Sequence, residues 1–469
     1  MAKILLMQNI SAQYLGLMYL SSALKQHDHK CNVLIGKKYD KEIKPVILKE
    51  SPDIIGISVM TFSHFWAVDI TKQIHRDFPQ ITIIFGGPHP TYFHDFIEEE
   101  SVDIMLVGEC EYAFPEIVGC LERGDSIQNI HNVHCKIDGK IYKNPIRPFS
   151  DINDIPFPDR ELYEPYSWKI AHKETQDVIT SRGCPFKCTY CYNNAAKEYY
   201  GNQVGFVRNR SVENVIEELI FLKKKINPEK ITFADDFFGL AGKKWLFPFL
   251  EQYREKIHIP FFCNMRADFI ANNPETCDLL KKANCFLVCF GIESGNEHIR
   301  NEVIKKKILN KHIIEAAAQL KKRDINLRTC NLLGIPGETI ENIYETIEIN
   351  QQIGTEFPHP YIFYPFPKTE LSEIAVEKGL LKEDYYLNSS VSSFHHGSIL
   401  DIDRKIEMEN LHKFFQIAVQ FPFLFPIIKK IVKFNFPKLN KAVFKVTLAL
   451  KFKKYLRLSY PRAIINFFR

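Results

Sequence analysis

Thr180-Ser-Arg-Gly-Cys-Pro-Phe-Lys-Cys-Thr-Tyr-Cys-Tyr192 sets Cys184, Cys188 and Cys191 in a Cys-x3-Cys-x2-Cys run, directly behind the strand-like residues 177–180. Three thiolates this close on one loop suit three corners of an iron–sulfur cluster. No fourth cysteine stands beside them, so one iron would keep an open position, as a catalytic metal site must to take a chelating substrate. A structural zinc loop also uses closely spaced thiolates, but it normally adds a second tight Cys or His pair. Cys263, Cys277, Cys285, Cys289 and Cys330 form no such pair in sequence.

With Tyr190 as the aromatic before the last cysteine, the run resembles the radical S-adenosylmethionine (SAM) superfamily. The resemblance implies a 4Fe-4S cluster whose open iron binds the amino and carboxylate groups of SAM. It also implies cleavage of SAM to a 5′-deoxyadenosyl radical, with flavodoxin or ferredoxin as the type of one-electron donor.

The chain around this loop is long, 469 residues, which predicts about two to four domains. With 45% hydrophobic and 25% charged residues it reads as globular. Twelve scattered cysteines, three of them on one loop, argue against a disulfide framework and for a reducing compartment. The N-terminus runs straight into a strand pattern without a signal-peptide core, which predicts a cytoplasmic protein.

Residues 2–7, 31–35, 53–59, 81–85 and 103–107 read as buried strands. Helical patterns at Leu15–Gln26, 66–78 and 93–100 alternate with them. That alternation predicts a doubly wound parallel sheet, whose ligands sit at the carboxyl ends of the strands. The loops there carry Ser58, Thr61, Gly86-Gly87-Pro88-His89, Thr91, and Gly108-Glu109 with Glu111. Paired glycines allow a flat or phosphate-bearing ligand to approach the backbone. The set resembles the Rossmann-like cobalamin-binding domain that precedes many radical SAM domains, over residues 1–140. The Asp-x-His-x-x-Gly motif that gives cobalt a histidine ligand is absent, so the expectation is cobalamin held without one. The proline-rich residues 124–168 predict an extended connector, with 141–172 as the interdomain linker.

Six further strands are expected, at 177–180, 230–234, 260–265, 286–290, 328–333 and 360–364. They match the partial (β/α)6 barrel that the resemblance implies for residues 173–385. Barrel chemistry belongs at strand C-termini. There the family's SAM contacts carry over to Asp235 and Asp236, Arg266, Glu293 and Ser294, and Gly334, Gly337 and Glu338, alongside Tyr190. A helix is expected over residues 211–225, capped by Ser211.

Residues 386–469 form a C-terminal helical region of unusual composition. Of 61 Lys and Arg, 13 follow Glu409, with no acidic residue after it; the first 409 residues carry 48 basic against 56 acidic groups, a net charge of −8. No apolar run reaches the roughly 20 residues of a spanning helix. A basic amphipathic stretch suits either the inner membrane surface or a helical cap on the barrel. No RNA-binding motif accompanies it, and nothing resembles a DNA-reading domain.

Together these features predict a cobalamin-dependent radical SAM methyltransferase acting on an unactivated carbon of a small, lipid or otherwise hydrophobic substrate. Oxidative cyclisation or rearrangement without methyl transfer is the alternative. A non-catalytic cobalamin or SAM sensor is the rival from another class.

Overall fold

The computed structural model describes residues 1–168, 170, 174–201, 203–388 and 397–434. Two compact units emerge: Met1–Asp177 with Ala196–Glu229, and Val178–Ala195 with the described residues from Lys230 onward.

The first unit is built on a seven-stranded sheet of β1 (Lys3–Gln8), β2 (Lys30–Ile35), β3 (Ile54–Ser58), β4 (Thr82–Gly86), β5 (Ile104–Leu106), β6 (Val133–Ile137) and β7 (Lys140–Lys143). Its order is β2-β1-β3-β4-β5-β6-β7. The first five strands pair in parallel. Strands buried on both faces need continuous apolar runs, and Ile4, Leu5, Leu6 and Met7 are each at most 2% exposed. Helices α1 (Leu15–Gln26) and α3 (Ala113–Arg123) bury Leu17, Met18, Leu24, Phe114, Ile117 and Val118 against this sheet, while α2 (His64–Asp77) joins β3 to β4. The order reverses about β1, the point at which such sheets open a crevice for ligands.

Three expectations change here. Residues 133–143 are not extended connector: β6 and β7 form an antiparallel hairpin on the sheet edge, turned through Asp138 (φ 50°) and Gly139 (φ 74°). Asp-Gly between two strands is a strong two-residue hairpin signal. Residues 93–100 form a 3-10 turn, His94–Glu98, rather than an α-helix. Helix α4 (Val212–Lys225), expected within the barrel stretch, packs in the first unit. Its Ser211 cap accepts from Asn214 N at 3.1 Å. Its buried Glu218 is gripped by Arg160 at 2.5 Å and by Arg210, and both arginine side chains are at most 5% exposed.

The second sheet has six strands, β8 (Thr175–Val178), β9 (Lys230–Phe233), β10 (Phe261–Asn264), β11 (Cys285–Glu293), β12 (Asn326–Leu333) and β13 (Phe357–Ile362), and β9 to β13 belong to the second unit. Spatial order follows chain order, and β9 to β13 run parallel. This is the open six-stranded barrel that the sequence predicts. Behind β12 and β13 lie α5 (Ile340–Gln352), α6 (Lys405–Gln420) and α7 (Phe425–Ile431). Leu333, Ile343, Ile347 and Ile362 share one core with Met408, Leu411, Phe415, Phe425 and Ile428, so the start of the C-terminal region caps the barrel. No described helix is long and apolar enough to cross a membrane. Residues 435–469, most of the basic tail, lie outside the described residues.

Candidate functional site

The cysteine loop leaves β8 and is fastened at its middle. Thr189, fully buried, donates through its N–H to Ile304 O at 3.0 Å and through Oγ1 to Val303 O at 2.8 Å. It accepts from Leu371 N at 2.9 Å. With Thr189 fixed, Cys184, Cys188 and Cys191 all line one cavity of about 320 Å3, shared with Asp236, Arg266 and Glu293. That volume suits a small-molecule ligand. Burial pushes the thiols of Cys184 and Cys191 up to about 11, with Asp236 and neighbouring cysteines adding to the rise, and it raises Cys188 too, where Glu293 adds to it. Neutral thiols packed this tightly become thiolates when a cationic centre joins them, so the donor set fits an iron–sulfur cluster.

The two adjacent aspartates part company. Asp235 turns away from the cavity and is 2% exposed. Its carboxylate accepts from Thr180 N at 2.9 Å, Thr180 Oγ1 at 2.9 Å and Ser181 Oγ at 2.6 Å, anchoring the chain just ahead of Cys184. Burial raises it to about 6 despite those donors. Asp236 faces the cavity; burial raises its pKa, while Asn193 opposes the rise. Of the two aspartates expected to meet SAM, Asp236 lines this cavity and Asp235 does not.

On the facing wall, Tyr190 OH donates to Glu293 Oε1 at 3.0 Å, and Lys306 Nζ reaches the same oxygen at 2.8 Å. Burial alone would lower the Lys306 ammonium, but Glu293 outweighs it and holds Lys306 charged. Glu293 sits at φ 61°, where the β11–β12 register shifts, which re-aims its side chain into the cavity. Arg266 stacks on Phe186 at 3.7 Å and forks onto Asp268 at 3.0 and 2.8 Å. Cation and carboxylate thus both face the space in front of the cysteines, the pairing that a zwitterionic amino acid group needs.

Ser294, Gly334, Gly337 and Glu338 do not line this cavity. Glu338 instead clamps its own turn: it accepts from Gly334 N at 2.8 Å and Ser294 Oγ at 3.3 Å, and burial raises it to about 8. Gly334 lies beneath the side chains of Met408 and Ile402.

Sequence reasoning missed Lys306, which looks like one of a solvated lysine run, and Asn193. It also missed a close thiol pair. Cys289 on β11 and Cys330 on β12 bring their sulfurs to 3.5 Å on the same cavity, 41 residues apart in sequence. Their mutual hydrogen bond raises Cys289 and lowers Cys330. Both cysteines lie inside strands on neighbouring β-ladders, and that was the signal available.

In the first unit, Ser58 pairs with Gly86 at the carboxyl ends of β3 and β4, and Gly87 follows, exposed, at φ 100°. A Cβ on Gly87 would come within 3.0 Å of Val59 O, so glycine keeps this rim low and its backbone open to a flat ligand. Thr91 joins the loops, accepting from Gly108 N at 3.0 Å and donating to Gly87 O at 2.8 Å. Thr61 is buried. His89 is 4% exposed and stacked between His64 and Phe93, at 4.5 and 4.6 Å, so its ring is taken up in packing. Gly108 offers no open backbone, because a Cβ there would meet Tyr200 OH at 2.9 Å. Glu109 is paired with Arg208 and lines a cleft with Glu111. The residues that fit a cobalamin face are therefore Ser58, Gly86 and Gly87.

Comparison with known proteins agrees with this geometry. Residues 178–349 match the radical SAM superfamily, and residues 12–118 match the B12 binding domain. An uncharacterized methyltransferase of Pyrococcus horikoshii is 30% identical over 373 residues, 78% of this chain and 79% of that protein. The anaerobic magnesium-protoporphyrin IX monomethyl ester cyclase of Rubrivivax gelatinosus is 22% identical, covering 82% of this chain and 70% of its own. Among solved structures, the cobalamin-dependent SAM radical enzyme OxsB, with aqua-cobalamin and SAM bound, superposes with a TM-score of 0.68 at 17% identity. That match spans 100% of this chain and 78% of OxsB.

Proposed function

This chain belongs to the radical SAM superfamily, in the class that also carries a B12-binding domain, and from that premise we propose that it methylates an unactivated carbon of a small hydrophobic molecule. The observation that carries the reading is the single cavity onto which three cysteines, Asp236, Arg266 and Glu293 all open. Cys184, Cys188 and Cys191 would hold the 4Fe-4S cluster; Asp236 and the Glu293–Lys306 pair would orient the charged end of SAM. Ser58, Gly86 and Gly87 would support cobalamin through backbone.

When bound, the cluster and SAM supply the means to remove hydrogen from a carbon without an acidic proton, and cobalamin supplies the methyl group. The chain's own residues do the holding. Thr189 fixes the cysteine loop, Asp235 fixes the strand end before it, and Phe186, Phe237 and Leu332 line the cavity and keep water from a reactive centre. A one-electron donor of the flavodoxin or ferredoxin type completes the system. Twelve free cysteines suit the reducing cytoplasm such chemistry needs.

The second reading, cyclisation or rearrangement without methyl transfer, is favoured by the cyclase similarity. Anaerobic reconstitution with iron, sulfide, hydroxocobalamin, reductant and SAM separates the two. 5′-Deoxyadenosine, lost in Cys188→Ala, supports the radical chemistry; S-adenosylhomocysteine with methylcobalamin supports methyl transfer. Deoxyadenosine without either methyl product supports the second reading. SAM retention without any cleavage by cluster-loaded protein would overturn both in favour of a sensor.

A further inference from the structure

Helix α7 has two apolar faces, and only one is used by the fold. Phe425, Ile428 and Val432 point inward and are at most 5% exposed. Exposed side chains cluster along this segment: Phe423 on the 3-10 turn that leads into the helix, Ile427 and Lys430 on the helix, and Phe434 just past its end. Phe423 is 73% exposed, Ile427 54% and Phe434 60%, with Phe421 exposed beside them. Lys430 and Lys433 are exposed on this side too, and no carboxylate among the described residues pairs with either.

The stripe is held in place. Asn410 Nδ2 donates to Val432 O at 2.9 Å and Phe434 O at 3.0 Å, tying the end of α7 to the buried α6. Lys429 is directed inward, toward Glu348 and over the rings of Tyr344 and Phe425, and takes no part in the outer face. Lys430 and Lys433 give this side its charge, and Glu348 beside the helix is paired with Lys429.

A fixed row of phenylalanine and isoleucine edged by lysines needs a partner that is apolar and negatively charged at once. An acidic protein patch offers the charge without the grease, and nucleic acid offers no environment for isoleucine. An anionic bilayer offers both: acyl chains for Phe423 and Ile427, headgroups for Lys430 and Lys433. We infer that the outer face of α7 docks this protein on an anionic lipid surface. The inner face accounts for the helical cap that the composition allowed, and the outer face for the membrane contact.

The test is co-sedimentation of the full chain with vesicles of phosphatidylcholine alone and of phosphatidylcholine mixed with phosphatidylglycerol. The expected result is retention on the mixed vesicles at least about tenfold above the neutral ones, falling with added salt. The double variant Phe423→Asp, Ile427→Asp should lose about tenfold of that retention, with thermal unfolding unchanged because both side chains point outward. Lys430→Glu with Lys433→Glu should do the same. Equal retention on both vesicle types would overturn the inference. So would binding indifferent to these variants, which would assign the contact to residues 435–469 alone. So would a concentration-dependent dimer, or capture of single-stranded RNA, that the aspartate pair abolishes in place of vesicle binding.

Discussion

Substituting Asp235→Asn removes a charge that the barrel holds against its own burial. Asp235 is 2% exposed, and burial lifts its carboxyl to about 6 from an ordinary 3.8. At 1.36 kcal/mol per pH unit, that gap corresponds to about 3 kcal/mol. Because the folded chain binds this proton more tightly than the unfolded chain, the contribution is full below pH about 4. It falls away as pH rises to about 6, and is flat above that. Asparagine cannot ionise, so the variant lacks this slope. It keeps one carbonyl oxygen for Thr180 and Ser181, as the protonated carboxyl does. The two proteins should therefore be about equally stable at pH 4, and wild type the less stable by about 3 kcal/mol at pH 7.

The assay is denaturant unfolding of cluster-free protein at several pH values, where the difference between the two proteins cancels every other titrating group. Parallel stability curves would refute the reasoning, since they would mean that burial does not oppose this charge. Asp236→Asn provides the contrast: little change in stability, but at least about tenfold weaker SAM binding by equilibrium dialysis of cluster-loaded protein, about 1.4 kcal/mol. Equal loss of SAM affinity in Asp235→Asn would also refute the separation of roles.

In the first unit, Glu218→Ala leaves Arg160 and Arg210 buried without their shared carboxylate, and should cost about 3–5 kcal/mol in chemical denaturation. Replacing all three residues together by apolar side chains should recover most of that loss, because the pair of charges is then no longer buried unpaired. Gly295→Ala should prevent stable folding of the barrel, seen as loss of cooperative thermal unfolding. Its Cβ would lie 2.3 Å from Glu345 O and 2.5 Å from Thr346 N, backbone atoms of α5 that cannot step aside.

The fold was legible wherever the sequence pattern was local. Strands buried on both faces announce themselves as apolar runs, as the five parallel strands of the first sheet do; β8, Thr-Gln-Asp-Val, carries no such run and begins two residues before its expected place. The β6–β7 hairpin was overlooked because its Lys140–Lys143 strand is largely exposed and its prolines lie nearby; the Asp138-Gly139 turn was the better guide. In the site, spacing placed the three cluster cysteines together, since all lie on one loop. It could not separate Asp235 from Asp236, because which of two neighbours faces a cavity depends on the direction in which the chain leaves β9. Nor could it find Lys306, which reaches the site only by pairing with Glu293. Nor does spacing show that Ser294 and Glu338 share a hydrogen bond and that Glu338 holds the Gly334 turn.

Cys289 and Cys330 bear on how the loaded enzyme should be counted. Two thiolates on a single tetrahedral metal ion, at about 2.3 Å from it, stand about 3.8 Å apart, and these two sulfurs already stand at 3.5 Å. A thiophilic ion supplied in excess would meet two sulfurs at nearly that spacing within the same chamber. Iron held there would raise the iron-to-chain ratio without adding to the cluster, and a preparation that looks complete by elemental assay would then be partly mis-metallated. The number to trust is a spectroscopic one that distinguishes a cubane from a lone thiolate-bound ion, taken on wild type and on Cys330→Ser side by side.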